Sequence, residues 1–202
     1  MTDQAIEALL LDLGNVVMEI DFRRTFRHWA NWADVDATRL HERWVEDEAY
    51  QAHERGELSF ADYIAALGAR LQISLPAEVW EAGWNEVFIG PYASVQRSLF
   101  SLAGRVPLYA FTNTNPTHER AWRSRYADAL AHFDEIYVSS RIGLRKPDQA
   151  AFEWVADAMG VAPGRILFLD DNRQNVEGAE AAGMQTVWVR SEADVVSTLA
   201  RF

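Results

Sequence analysis

The chain has 202 residues, 49% of them hydrophobic and 24% charged, enough for a sizeable core and within the usual range of one or two domains. It contains no cysteine, which excludes disulfides, thiolate metal sites and cysteine nucleophiles. The formal net charge is -11 with the basic residues scattered among acids, which argues against a general affinity for nucleic-acid backbones, so an anionic small substrate would need a local positive site.

The opening stretch "MTDQAIEALLLDLG" lacks the basic n-region and the longer apolar run of a signal peptide. No segment approaches the roughly 18 apolar residues of a membrane span. The expectation is a soluble, cytoplasmic protein without a membrane partner. Within that stretch residues 7–12, "EALLLD", form a short apolar run that reads as a buried strand and stops on Asp12, just before a turn at Gly14.

From about residue 20 to 90 no strand pattern is present; Phe22, Phe26 and Trp29 recur at helical spacing, as do Phe60, Ile64 and Leu67. Five of the eight tryptophans (Trp29, Trp32, Trp44, Trp80 and Trp84) fall here, which predicts the core of a small helical bundle. Hinges are expected near Glu19 to Phe22 and near Gly90-Pro91. Within the interval, "AHERGELS" (52–59) reads as a helix ending at a left-handed Gly56, with Ser59 opening the next helix.

Beyond residue 91 helical patterns alternate with strand-like runs. Val95, Leu99 and Leu102 precede "VPLYAFT" (106–112) and "DEIYVS" (134–139); Phe152, Val155, Ala156 and Met159 precede "RILFLD" (165–170). Val176, Ala179 and Ala182, closed by Gly183, lead to "QTVWV" (185–189), and Ser191 with Asp194 opens a last helix carrying Val195 and Leu199 inward. The expected fold is therefore α/β: a Rossmann-like parallel sheet from residues 1–19 and 91–202, with residues 20–90 inserted as a small helical cap after the first strand.

In an open parallel sheet, ligands bind beyond the carboxyl ends of the strands. The runs stop at Asp12, at Thr112-Asn113 and at Asp170-Asp171, and Lys146 follows shortly after the run at 134–139. Taken singly, each has an ordinary structural explanation as a turn former, a helix cap or a solvated lysine. Together they would set three acids, a hydroxyl and an ammonium on one edge. Three close carboxylates repel one another, and an oxygen-seeking divalent ion such as magnesium is the usual remedy. Cation, ammonium, Thr112 and Asn113 would suit a phosphate, leaving Asp12 free as a nucleophile.

The motifs "DLGNV", "FTNTN", "GLRKP" and "FLDDNRQN" resemble, in that order, those of the haloacid dehalogenase superfamily over essentially the whole chain. Within it, "DLGNVVMEIDF", "HERGE", "TNTNPTH" and "DDNRQNVEGA" look like the bacterial alpha-D-glucose-1-phosphate phosphatase subfamily. The resemblance implies that Asp12 forms an aspartyl-phosphate, that Thr112 and Asn113 hold the phosphoryl oxygens, and that Lys146 steadies both. It implies a magnesium ion held by Asp12, the Gly14 carbonyl and Asp171, with Asp170 and Asn175 ligating or orienting nearby. His53, Glu54 and Arg55, at the tip of the cap, would contact substrate hydroxyls. His118, Arg120 and Trp122 are weaker candidates of the same sort.

One departure stands out. Most phosphatases of this superfamily carry a second aspartate, a general acid and base, where this chain has Gly14. Asp21, His53 or Glu54 would have to supply that function, or the leaving group would have to need less help, as an anomeric hydroxyl does. The expectation is thus a hexose 1-phosphate or similar small phosphometabolite. The alternatives are a 2-haloacid dehalogenase, which uses the same nucleophile without metal, and a catalytically weak phosphometabolite-binding protein. A phosphomutase fits less well, since it relies on the absent residue. The oligomeric state is left open, with a monomer sufficient for the chemistry.

Overall fold

The computed structural model describes residues 5–202; residues 1–4 of the expected core segment 1–19 lie outside the described residues. In chain order the elements are β1 (Ala8–Leu11), β2 (Met18–Ile20), α1 (Phe22–Ala33), α2 (Ala37–Arg43), α3 (Glu48–Glu54), α4 (Phe60–Leu71), α5 (Ala77–Asn85) and β3 (Phe88–Pro91). They continue with α6 (Ala93–Leu102), β4 (Leu108–Thr112), α7 (Pro116–Arg125), α8 (Ala127–Leu130), β5 (Glu135–Val138), α9 (Ser139–Ile142) and α10 (Gln149–Met159). The last elements are β6 (Ile166–Asp170), α11 (Arg173–Ala181), β7 (Gln185–Trp188) and α12 (Glu192–Leu199).

Five strands form a parallel sheet in the order β5-β4-β1-β6-β7. Successive strand side chains point to opposite faces, and the apolar runs fill both. Leu9 and Leu11 of β1, Leu108 and Ala110 of β4, and Leu167 and Leu169 of β6 pack with Val95 and Leu99 of α6 and Val195 and Leu199 of α12. Ala8, Leu10, Phe111, Ile166 and Phe168 face the other way, onto Phe152, Val155 and Met159 of α10. Leu11 lies opposite Ala110 of β4 and Leu169 of β6, and the Asp12 amide donates to the Leu169 carbonyl at 2.9 Å. This register brings Asp12, Thr112 and Asp170 out at one edge.

Helices α1 to α5 gather a third cluster, which includes Phe26, Trp29, Tyr63, Leu67, Trp80 and Trp84. Trp29 and Trp84 stack with centroids 5.9 Å apart and planes 8° apart. Trp32 differs from the expected bundle core, being 61% exposed on the outer face of α1. Each of the longer inserted helices but α5 starts on a side-chain cap: Asp21 accepts from the Arg23 amide and Ser59 from the Asp62 amide.

The two segments expected to be hinges form β2 and β3, paired antiparallel with Met18 opposite Pro91 and Glu19 opposite Gly90. The Tyr92 amide extends the ribbon to the Val17 carbonyl at 3.0 Å. Strands of three and four residues, one ending in Gly-Pro, are too short to show an alternation, so their pairing is a product of the chain being brought back to its starting point. The helical insertion is thereby tied to the sheet by a hydrogen-bonded ribbon. A second tie lies at Gly56, whose φ of +74° and lack of side chain let it sit against the Ser140 carbonyl, where a Cβ would collide. Among the described residues no helix is long and apolar enough to cross a membrane.

Candidate active site

Lys146 organises the strand-end cluster. It is 1% exposed, and its Nζ donates to Asp12 Oδ1 at 2.9 Å, to Asp170 Oδ2 at 2.6 Å and to the Phe111 carbonyl at 2.9 Å. An ammonium has three N–H donors, so all are used. The rings of Phe111 and Phe168 lie 5.5 and 5.4 Å from the nitrogen and keep water away from its stem. Burial works against the charged Lys146, but the Asp12 and Asp170 carboxylates outweigh it and hold its pKa above the ordinary value.

Asp12, Asp170 and Asp171 each offer an oxygen, and these oxygens lie within 4.8 Å of one another. Asp170 is fully committed. Its Oδ1 accepts from the Asn172 amide at 2.8 Å and from Asn175 Nδ2 at 3.1 Å, while Oδ2 accepts from Lys146 and from Asn175 Nδ2 at 3.1 Å. In this arrangement Asp170 orients Lys146 and Asn175 while offering one of the three converging oxygens. Asp171 is freer; its Oδ2 accepts from Asn15 Nδ2 at 3.1 Å, and its backbone carbonyl accepts from the Trp188 indole at 3.0 Å.

Burial raises the pKa of Asp12 to about 7, with Lys146 pulling it down and Asp170 and Asp171 pushing it up. Burial likewise raises Asp171, against the hydrogen bond from Asn15. Lys146 offsets only part of the cost of burying these carboxylates. The donor set is oxygen only, which suits a hard cation that keeps part of its water; magnesium fits it.

Asp12, Gly14, Thr112, Asn113, Lys146 and Asp171 border one cavity of about 650 Å³ that extends to the helical insertion. The Asn113 side chain clamps the Lys146 backbone, donating to the carbonyl at 2.8 Å and accepting from the amide at 2.9 Å, while the residue still borders the cavity. A Cβ at Gly14 would meet Ile20 Cδ1 at 2.9 Å and Asp12 Oδ2 at 3.8 Å, so the missing second side chain belongs directly beside Asp12.

The insertion contributes one of its three expected residues. Glu54 borders the cavity; His53 and Arg55 do not. His53 is buried against Tyr63, ring planes 11° apart, with Nδ1 2.8 Å from the Leu58 carbonyl, and burial lowers its pKa. Arg55 pairs with Glu48 at 2.6 Å and Glu57 at 2.8 Å on the outside. Helix geometry explains this, since each residue turns the side chain by about 100° and only one of three neighbours can face the cleft. Asp21 is occupied at the start of α1 by the Arg23 amide and side chain, both at 2.9 Å, away from the cavity.

Arg145 and Tyr50 are cavity residues that sequence reasoning missed. Arg145 donates to Glu54 Oε2 through Nε at 2.9 Å and through Nη2 at 2.8 Å. Tyr50 stands one helical turn before Glu54 in α3 and borders the same cavity. The four-residue spacing in α3 was a usable signal for Tyr50; for Arg145 it was its place beside Lys146 in "GLRKP".

Of the weaker candidates, His118 and Trp122 border the cavity, and Arg120 pairs with Glu81 on the surface at 3.3 Å. His118 is buried, stacks on Trp84 at 4.6 Å and donates from Nε2 to the Trp84 carbonyl at 3.0 Å. Burial drives its pKa from 6.5 to about 3. Between those values the unfolded chain binds a proton that the folded chain refuses, so this group weakens the fold as pH falls from 6.5 toward 3. Lowering the pH from 7 to 5 should cost about 2 kcal/mol through this residue. Urea unfolding of the protein and of His118→Gln at both pH values checks it: the variant should lose correspondingly less, and equal losses would contradict the assignment.

A family model described as haloacid dehalogenase-like hydrolase matches residues 6–183. The chain is 23% identical over 195 residues to a D-ribitol-5-phosphate phosphatase of Bacteroides thetaiotaomicron, covering 94% of each. A haloacid dehalogenase family enzyme of the same organism, solved in complex with magnesium and inorganic phosphate, has a TM-score of 0.80 at 21% identity, over 93% of this chain and 96% of that one. An L-2-haloacid dehalogenase of Xanthobacter autotrophicus has a TM-score of 0.68 at 17% identity, over 90% of this chain and 76% of that one. At such identities the structural likenesses speak for the fold alone. The match over most of its length shows that the chain belongs to the haloacid dehalogenase-like hydrolase family.

Proposed function

We propose that the protein is a magnesium-dependent phosphoric monoester hydrolase acting in the cytoplasm on a small sugar phosphate such as a hexose 1-phosphate, through an aspartyl-phosphate at Asp12. The observation that supports this reading is the convergence of Asp12, Asp170 and Asp171 within 4.8 Å around a lysine that bonds two of them. Asp12, the Gly14 carbonyl and Asp171 would hold the ion. When bound, magnesium supplies positive charge against the phosphoryl oxygens. Lys146 favours the ionised form of Asp12 and orients it, and Thr112 at the end of β4 meets the phosphoryl group. A carboxylate oxygen of Asp12 bonds to phosphorus as the bond to the ester oxygen breaks; water then hydrolyses the acyl-phosphate, releasing phosphate and restoring Asp12.

Gly14 brings no proton donor to the leaving oxygen. General acid-base assistance is worth about 10²- to 10⁴-fold, so its absence is felt least when the leaving group is already acidic, as an anomeric hydroxyl is. We expect phosphate release from a hexose 1-phosphate to exceed that from the 6-phosphate by at least about tenfold in kcat/KM, and to vanish on chelation. A preference for the 6-phosphate would overturn the substrate assignment. Halide release from a 2-haloacid that survives chelation would favour the dehalogenase alternative, against which the Asp170-Asp171 pair argues because it would repel a departing halide with no cation between them.

A further inference from the structure

From the helical insertion, Glu46, Tyr50, Gln51 and Glu54 border the cavity, and Arg145 meets Glu54 from the sheet side. The charges here are fixed by pairing. Arg145 is 12% exposed and bonds Glu54, itself 5% exposed, through two nitrogens, with Glu46 a further 4.0 Å from Nη2. The only other lysine or arginine among the bordering residues is Lys146, whose three donors are spent on Asp12, Asp170 and the Phe111 carbonyl. Against these two cations stand five carboxylates, those of Asp12, Glu46, Glu54, Asp148 and Asp171.

We propose that Glu54, held by Arg145 across the contact between the helical insertion and the sheet, determines the leaving group: it accepts a hydroxyl of a neutral polyhydroxylated alcohol and excludes a second anionic group. This rests on the phosphatase reading above and names the class of ester within it. Both Arg145 nitrogens bond Glu54 Oε2, which leaves Glu54 Oε1 able to accept a further donor. A ligand hydroxyl supplies it. A carboxylate or second phosphate in the same place would face Glu54 and Glu46 with no unpaired cation to receive it. The Glu54 position is rigid: Ser139 Oγ lies 2.7 Å from the Glu54 carbonyl, and Gly56 is seated against Ser140.

The test uses a matched pair, a hexose 1-phosphate and the uronic acid 1-phosphate that differs only by a carboxylate in place of a hydroxymethyl group. Binding is measured by calorimetry with magnesium in the Asp12→Asn background, so that the result does not depend on turnover. The hexose ester should bind at least about tenfold tighter. Adding Glu54→Gln frees the Arg145 charge and should shrink or reverse that ratio by about tenfold, with the uronate gaining affinity outright, which mere loss of structure would not produce. Equal affinities for the two esters, or a ratio unmoved by Glu54→Gln, would overturn the proposal. If the variant does not fold, the ratio in the Asp12→Asn protein decides alone. Release of phosphate from p-nitrophenyl phosphate by the unmodified protein tests the phosphatase reading separately, because that ester has neither hydroxyls nor a second charge.

Discussion

Replacing Asp12 with asparagine should lower kcat for phosphate release by about 10⁴-fold or more, because an amide oxygen does not displace an alkoxide from phosphorus and no other carboxylate takes its place. Asp170 has every lone pair occupied, and Asp171 approaches from the end of β6 rather than from β1. The fold should survive. Lys146 keeps its bonds to Asp170 and the Phe111 carbonyl, and the variant relieves a charge that burial disfavours. With the folded pKa of Asp12 raised to about 7 from 3.8, the native chain holds a proton that the unfolded chain has released, so this group costs stability as pH rises through that window. In chelator at pH 8, Asp12→Asn should therefore unfold in urea no earlier than the parent. Turnover within tenfold of the parent would remove Asp12 from the reaction.

Lys146→Met should act with the opposite sign on stability. It leaves Asp12 and Asp170 buried without their cation, and breaking a buried pair from one side costs about 3 to 5 kcal/mol. Part of that loss should return on adding magnesium, since a ligand at about 100 times its Kd stabilises by about 2.7 kcal/mol. Turnover should fall by about 10²- to 10³-fold at saturating metal, as for the removal of one preorganised charge donor. Urea titrations with and without magnesium, together with steady-state kinetics, measure both. Combining the substitution with Asp12→Asn should cost less than the sum of the two, because the two groups share one interaction. A Lys146→Met protein as stable as the parent in chelator would mean that the ammonium does not balance the cluster.

These effects trace to residues legible from the sequence. The apolar runs were long enough and sufficiently rich in branched residues to be read as strands, and a parallel sheet must present their carboxyl ends together. Asp12, Thr112 and Asp170 follow from that rule. Helix starts at Ser59 and Ser191 were equally local, because a cap is a bond between residues three apart. The β2–β3 ribbon was not, since a pair of very short strands is defined by its partner, about 70 residues away along the chain.

Local pattern by itself determined the α/β order, the strand-end acids and the helical insertion, because these depend on periodicities of two and 3.6 residues that a single segment carries. Only the tertiary structure decided which of those groups remain free to act. Asp170 and the Asn113 side chain are consumed by partners from other loops, and the rotation of α3 turns Glu54 inward and His53 and Arg55 away. Arg145 became part of the cavity because Glu54 arrives opposite it. A polar group's availability depends on every donor and acceptor within about 3 Å, and that neighbourhood is assembled from segments whose spacing no local pattern encodes.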